Sequence, residues 1–127
     1  VNLKGICLKP NMVIDGSLCQ KKSAPAIIAE KTISCFRETV PEEVPGIVFL
    51  SGGQSEAEAT ENLNEMNKMD DLPWNLSFSY GRALQASALN AWLGKDENEE
   101  AGSKAFNHRA KMNSLATLGK WSAELEQ

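Results

Sequence analysis

Histidine is almost absent from this chain: His108 is the only one in 127 residues, and it has no H-x-x-x-H partner. The cysteines, Cys7, Cys19 and Cys35, are odd in number and show no C-x-x-C spacing. Zinc sites draw on several His or Cys at set spacings, so no metal site is predicted. A disulfide framework wants an even count in a secreted chain, so the thiols are predicted reduced and the protein intracellular. No apolar run is long enough for a membrane-spanning helix, which needs about 18 residues or more. Positive charge is in deficit, 13 basic residues against 17 acidic for a net charge of −4. That balance argues against nucleic acid or an anionic membrane as partner. Neither a G-x-S-x-G elbow nor a Walker loop is present, which removes two common nucleophile and nucleotide signatures. The chain opens Val1-Asn2-Leu3-Lys4, without an initiator methionine or a signal or transit pattern, and is predicted to be a fragment.

What is present is an ordinary globular composition, 42% apolar and 24% charged, arranged as a repeated unit. Gly5-Ile6-Cys7-Leu8 reads as a short buried strand ending at Lys9-Pro10-Asn11, where proline stops a central strand. Ser23 as N-cap and Pro25 in the first turn predict a helix. Ala29, Ile33, Phe36 and Val40 share its apolar face, and Pro41 closes it. A second unit begins at Gly46. Ile47-Val48-Phe49-Leu50 reads as a strand buried on both faces. It runs through Ser51-Gly52-Gly53-Gln54 into Ser55-Glu56-Ala57-Glu58, a capping box, with Ala59, Leu63 and Met66 as the helix stripe. The third unit is Trp74–Ser79, then Tyr80-Gly81-Arg82, then a helix with Leu84, Ala88 and Trp92 on one face and Gly94 as its breaker. A last helix from near Asp96 has Ala101, Ala105, Met112, Leu115 and Leu118 as expected buried positions and Gly119 as its C′ residue. The acidic runs at Glu56 to Glu61 and Glu97 to Glu100 are expected to be solvated, as is His108. Strand-helix alternation throughout predicts an α/β fold with a parallel sheet.

In such a sheet the strand C-terminal ends share one face, and Lys9, Ser51 and Ser79 each follow a strand. A lysine there, partly desolvated, becomes a nucleophile able to form a Schiff base with a carbonyl. The plainer reading is a stem packed on the rim with its ammonium in water. Ser51-Gly52-Gly53 and Ser79-Tyr80-Gly81-Arg82 each lead into a helix. Glycines let backbone N–H groups approach an anion, and arginine adds charge-assisted hydrogen bonds to phosphate oxygens. Alone, each is also an ordinary glycine turn; together with Lys9 on one face they favour phosphate binding.

Leu8-Lys9-Pro10-Asn11-Met12-Val13, Phe49-Leu50-Ser51-Gly52-Gly53-Gln54-Ser55 and Ser77-Phe78-Ser79-Tyr80-Gly81-Arg82-Ala83-Leu84-Gln85 resemble class I fructose-1,6-bisphosphate aldolase in order and approximate spacing. The likeness continues through Asn62-Leu63-Asn64, Ala91-Trp92 and Arg109–Ala116. It implies the C-terminal part of a (β/α)8 barrel from the sixth strand onward, residues 1–127 forming a single partial domain: three parallel strands, alternating helices and a C-terminal helix. It implies reversible cleavage of fructose 1,6-bisphosphate to dihydroxyacetone phosphate and glyceraldehyde 3-phosphate. Lys9 matches the Schiff-base lysine, and no metal or other cofactor is implied. Ser51, Gly52, Gly53, Ser79, Gly81 and Arg82 match the phosphate-binding residues. Sugar bisphosphates and triose phosphates are the implied ligands, a homotetramer the implied full-length assembly, and the cytoplasm the implied location, with plastid forms in the same family. Ile6-Cys7 stands where the family commonly has Thr-Leu, and Trp121 where it has Tyr. The upstream acids and lysines of proton transfer have no counterpart here, so the isolated chain is expected to be inactive. The alternative is a non-catalytic aldolase-like chain that holds a phosphorylated ligand or a protein partner.

Overall fold

In the computed structural model, which describes residues 1–127, the strands are β1 (Cys7–Leu8), β2 (Gly46–Phe49) and β3 (Asn75–Phe78). They alternate with the helices α1 (Pro25–Thr39), α2 (Glu56–Asn67), α3 (Arg82–Trp92) and α4 (Glu99–Thr117). Short 3-10 turns occupy Leu3–Gly5, Asp96–Asn98 and Ala123–Glu126. The strands form one parallel sheet in the order β1-β2-β3, with Leu8 beside Ile47 and Ile47 beside Leu76.

The sheet alternates where burial on both faces was expected. Ile47 and Phe49 are buried, whereas Gly46 and Val48 are only half-buried. Successive strand residues point to opposite faces, and only one face of β2 meets helices. On that face Phe36 of α1 stacks on Phe49 at 5.8 Å, and Trp74 meets Phe36 edge-on at 6.2 Å. Ala29, Ile33, Leu63, Met66 and Leu76 complete this layer. Leu63 and Met66 are among the most deeply buried residues, each removing roughly 1.5–3 kcal/mol worth of apolar surface from water.

Helix starts are set by different devices. Ser55 caps α2 as predicted: its hydroxyl accepts from Glu58 N–H at 3.2 Å, and Glu58 accepts from Ser55 N–H at 2.7 Å. Ser23 does not cap α1. Ala24 takes the N-cap position, with Pro25 entering the helix behind it. Ser23 is committed instead to Asp15, donating from its backbone N–H at 2.6 Å and its hydroxyl at 2.8 Å. These bonds, with Lys22 nearby, hold the Asp15 carboxyl below the usual carboxylate range. Proline at the first helical position has no N–H needing a partner, which lowers the need for a side-chain cap.

The last helix departs most from expectation. Met112 and Ala116 are buried, but Ala101 and Leu118 are exposed and Ala105 and Leu115 only half-buried. Gly102, Arg109 and Asn113 are buried in their place. A Cβ on Gly102 would lie 2.9 Å from the Cβ of Trp92, so the missing side chain is what lets α4 approach α3. Gly119 sits at φ +64° just past the helix, as predicted for its C′ residue.

Candidate phosphate and Schiff-base site

The register places the predicted residues on one edge of the sheet. Pro10 C=O accepts from Leu50 N–H at 3.0 Å, carrying the β1–β2 ladder past Leu8. Ser79 N–H donates to Phe49 C=O at 2.8 Å, carrying β2–β3 past Phe78. Lys9 therefore lies level with Val48, on the sheet face turned away from the helices, and Ser51 and Ser79 follow further along the same edge. Lys9 is exposed. Within this chain β1 pairs with β2 alone, so the desolvation expected of Lys9 is not supplied by these residues.

The two glycine loops differ in what their helices offer an anion. The N-terminus of α2 already serves its own acids, Glu56 and Glu58 in the first turn. Those charges oppose an incoming phosphate, so the dipole argument fails at this helix and the loop must act through its own N–H groups. α3 begins at Gly81 with no side-chain cap and no acid in its first turn, and Arg82 is exposed at its first position. Its free N–H groups and guanidinium suit an anion.

Ser51 C=O accepts from Gln54 N–H at 2.9 Å and from Gln54 Nε2 at 3.1 Å, and Gln54 Oε1 accepts from the buried Asn62 at 2.7 Å. Gly52 has φ +29° and Gly53 φ +81°, the left-handed region that favours glycine. The side chain of Asn11, just beyond Lys9, occupies the place a Gly52 Cβ would take, its Cγ 2.6 Å away. Asn11 is itself held by Met12 N–H at 2.9 Å. Gly52 thus lets the β1 and β2 loops touch. Gly52→Ala is expected to cost about 2 kcal/mol in a urea unfolding curve, from the left-handed backbone and the clash together. Adding Asn11→Ala should recover the steric part and leave the backbone part.

On the α3 side, Tyr80 lies between Ser79 and Gly81, and its hydroxyl donates to Ala59 C=O of α2 at 2.8 Å. Burial pushes the Tyr80 phenol pKa up, so it stays a donor.

Composition and periodicity missed a buried polar cluster behind these loops. Arg109, 7% exposed, grips Glu126 through Nη1 and Nη2 at 2.8 and 2.7 Å. Its Nη1 also donates to Thr60 at 3.2 Å. Thr60 lies 2.6 Å from Asn113 Oδ1. Glu56 is not a solvated helix start: it accepts from Ser87 N–H at 2.9 Å and from the Ser87 hydroxyl. Burial alone would raise the Glu126 pKa. Hydrogen bonds from Arg109 and Trp121 and the nearby charges outweigh it, and the net shift is downward. His108, half-buried, stands 3.6 Å from Glu126. No three His, Cys, Asp or Glu side chains converge where a metal ion could sit, and no helix is long and apolar enough to cross a membrane.

Comparison with known proteins places these motifs in one lineage. A family model described as fructose-bisphosphate aldolase class-I matches residues 1–127. The cytosolic fructose-bisphosphate aldolase 5 of Arabidopsis thaliana is 60% identical over 123 residues, covering 96% of this chain and 34% of that protein. The chloroplastic aldolase 3 of the same plant is 56% identical, covering 99% of this chain and 32% of its own. Aldolase B of Gallus gallus is 57% identical, at 95% and 34% coverage. Among solved structures, a Plasmodium falciparum fructose-bisphosphate aldolase in complex with TRAP and a small-molecule inhibitor superposes with a TM-score of 0.93 and 51% identity, over 97% of this chain and 35% of that one. The chain spans about a third of the length of the curated relatives it matches.

Proposed function

Because this chain belongs to the class I fructose-bisphosphate aldolase family, we propose that it carries the Schiff-base lysine and the phosphate loops of a fructose 1,6-bisphosphate aldolase. In this reading its residues are the sixth strand onward of a (β/α)8 barrel. Lys9 Nζ adds to the ketone carbon of fructose 1,6-bisphosphate or of dihydroxyacetone phosphate. Loss of water leaves a protonated imine between Nζ and that carbon. The imine accepts the electron pair released when the bond between the α and β carbons breaks and the β-hydroxyl gives its proton to a base to become the aldehyde, leaving an enamine on Lys9, so no metal is needed. Ser51, Gly52, Gly53, Ser79, Gly81 and Arg82 hold a substrate phosphate and fix the ketone against Lys9, which converts binding energy into orientation. Sugar bisphosphates and triose phosphates are its ligands, and a homotetramer is the assembly of the native gene product.

The observation that carries this reading is the placement of Lys9, Ser51 and Ser79 along one C-terminal edge of a parallel sheet. There the aldehyde or ketone end and the phosphate end of one small sugar phosphate can be met at once. Support also comes from α3, whose uncapped N-terminus bears Arg82.

The test is borohydride reduction of the native gene product in the presence of dihydroxyacetone phosphate, followed by peptide mass spectrometry. A reduced adduct on Lys9 is expected. An adduct on another lysine, or none, overturns the assignment. An adduct on Lys9 without turnover of fructose 1,6-bisphosphate would instead favour a chain that holds phosphorylated ligands.

A further inference from the structure

We propose that the polar cluster around Arg109 is a positioning device that sets the two phosphate-binding loops at their working separation; it rests on the phosphate-binding reading above. The cluster meets α2 in its first two turns, directly after the Ser51–Gln54 loop. Glu56 is tied to Ser87 of α3. Ala59 C=O is tied to Tyr80, which sits inside the second loop. Thr60 is tied to Arg109 and Asn113 of α4. The first two turns of α2, which follow the first loop, are thus fixed to elements that carry or follow the second. Arg109, 4.0 Å from Glu56 through Nε, joins these ties at their base.

The chemistry is not what stability alone would select. Arg109 Nε and Asn113 Nδ2 are buried without hydrogen-bond partners. Burying polar groups imperfectly costs free energy, and apolar packing in the same volume is often as stable or more so. Directional bonds, unlike apolar contacts, hold a register. A phosphate gripped by two loops is sensitive to their spacing, because a misplacement of about 1 Å can cost roughly a hundredfold in rate.

The experiment compares a phosphorylated with an unphosphorylated ketone in the native gene product. Tyr80→Phe and Ser87→Ala each delete one tie while keeping most of the packing. Each is expected to raise KM for fructose 1,6-bisphosphate about tenfold. Borohydride trapping of unphosphorylated dihydroxyacetone on Lys9 should stay within about twofold of the parent, since that reaction needs no phosphate grip. Glu56→Ala should behave likewise, and Glu56→Gln, which keeps an acceptor for Ser87, should restore most of the loss. A fall of both reactions in proportion, or no change in either, overturns the proposal and leaves the cluster a plain structural feature. Titration with inorganic phosphate gives a readout independent of Lys9. Weaker phosphate binding in Tyr80→Phe upholds the positioning role even if Lys9 traps no ketone, whereas unchanged binding counts against it.

Discussion

Methionine in place of Lys9 is expected to abolish reductive trapping of dihydroxyacetone phosphate and, with it, turnover. Methionine retains an unbranched stem of similar length but has no amine to add to a carbonyl, so no covalent intermediate can form. Methionine also keeps the apolar stem beneath the amine, so no cavity is opened and little stability is lost. A near-unchanged unfolding midpoint beside a complete loss of adduct is the expected pair of results. Arginine is the sharper control. It keeps the positive charge that could attract phosphate but stays protonated at any accessible pH. If Lys9→Arg still traps ketone, the nucleophile lies elsewhere. If Lys9→Met binds inorganic phosphate as well as the parent, the phosphate grip belongs to the loops.

Removal of the Arg109 side chain is the largest stability effect expected, about 3–5 kcal/mol for Arg109→Ala in denaturant unfolding. The loss has two parts. The guanidinium leaves a gap among Thr60, Glu126 and Glu56, and the Glu126 carboxylate loses both of its arginine bonds. Only Trp121 Nε1, at 2.8 Å, would still donate to Glu126. The pH dependence follows from the downward shift at Glu126. A carboxyl whose pKa is lowered by folding contributes stability above its unfolded pKa and loses it as pH falls through the folded one. The parent should therefore lose stability in acid, below the ordinary glutamate range, and the gap between parent and Arg109→Ala should narrow there. A constant gap would show that packing, not the ion pair, carries the effect. Replacing both partners, Arg109→Met with Glu126→Leu, should cost far less than Arg109→Ala because no charge is left unpaired.

Much of this protein is legible in its sequence, and the reasons lie in particular residues. The capping box at Ser55 and Glu58, the Gly119 terminus and the Ala59, Leu63 and Met66 stripe are local patterns. Residues a few positions apart decide them, so sequence spacing suffices. The order of Lys9, Ser51 and Ser79 at strand ends likewise needs only the strand-helix alternation. Errors arose where a residue had a competing distant partner. Ser23 is a good N-cap by type, but Asp15 eight positions earlier claims it. Val48 has the side chain of a core residue, but it is only half-buried, on the sheet face it shares with Lys9.

Apolar periodicity also cannot find the Arg109 cluster, because a rule that seeks hydrophobic stripes assigns arginine, glutamate and asparagine to water. On α4 it chose Leu118 and Ala101, and the fold buried Gly102, Arg109 and Asn113 instead. The partners of Arg109 and Asn113 lie 17 to 53 residues away in sequence, a separation no local spacing encodes. By itself, then, the sequence determined the alternating strands and helices and the family, since these depend on residue type and near neighbours. The tertiary structure alone decided which sheet face Lys9 takes, which helix start is free for an anion, and that a buried arginine joins the last helix to the helix after the first loop. Each of those depends on which surfaces meet, and that is settled by packing between elements remote in the chain.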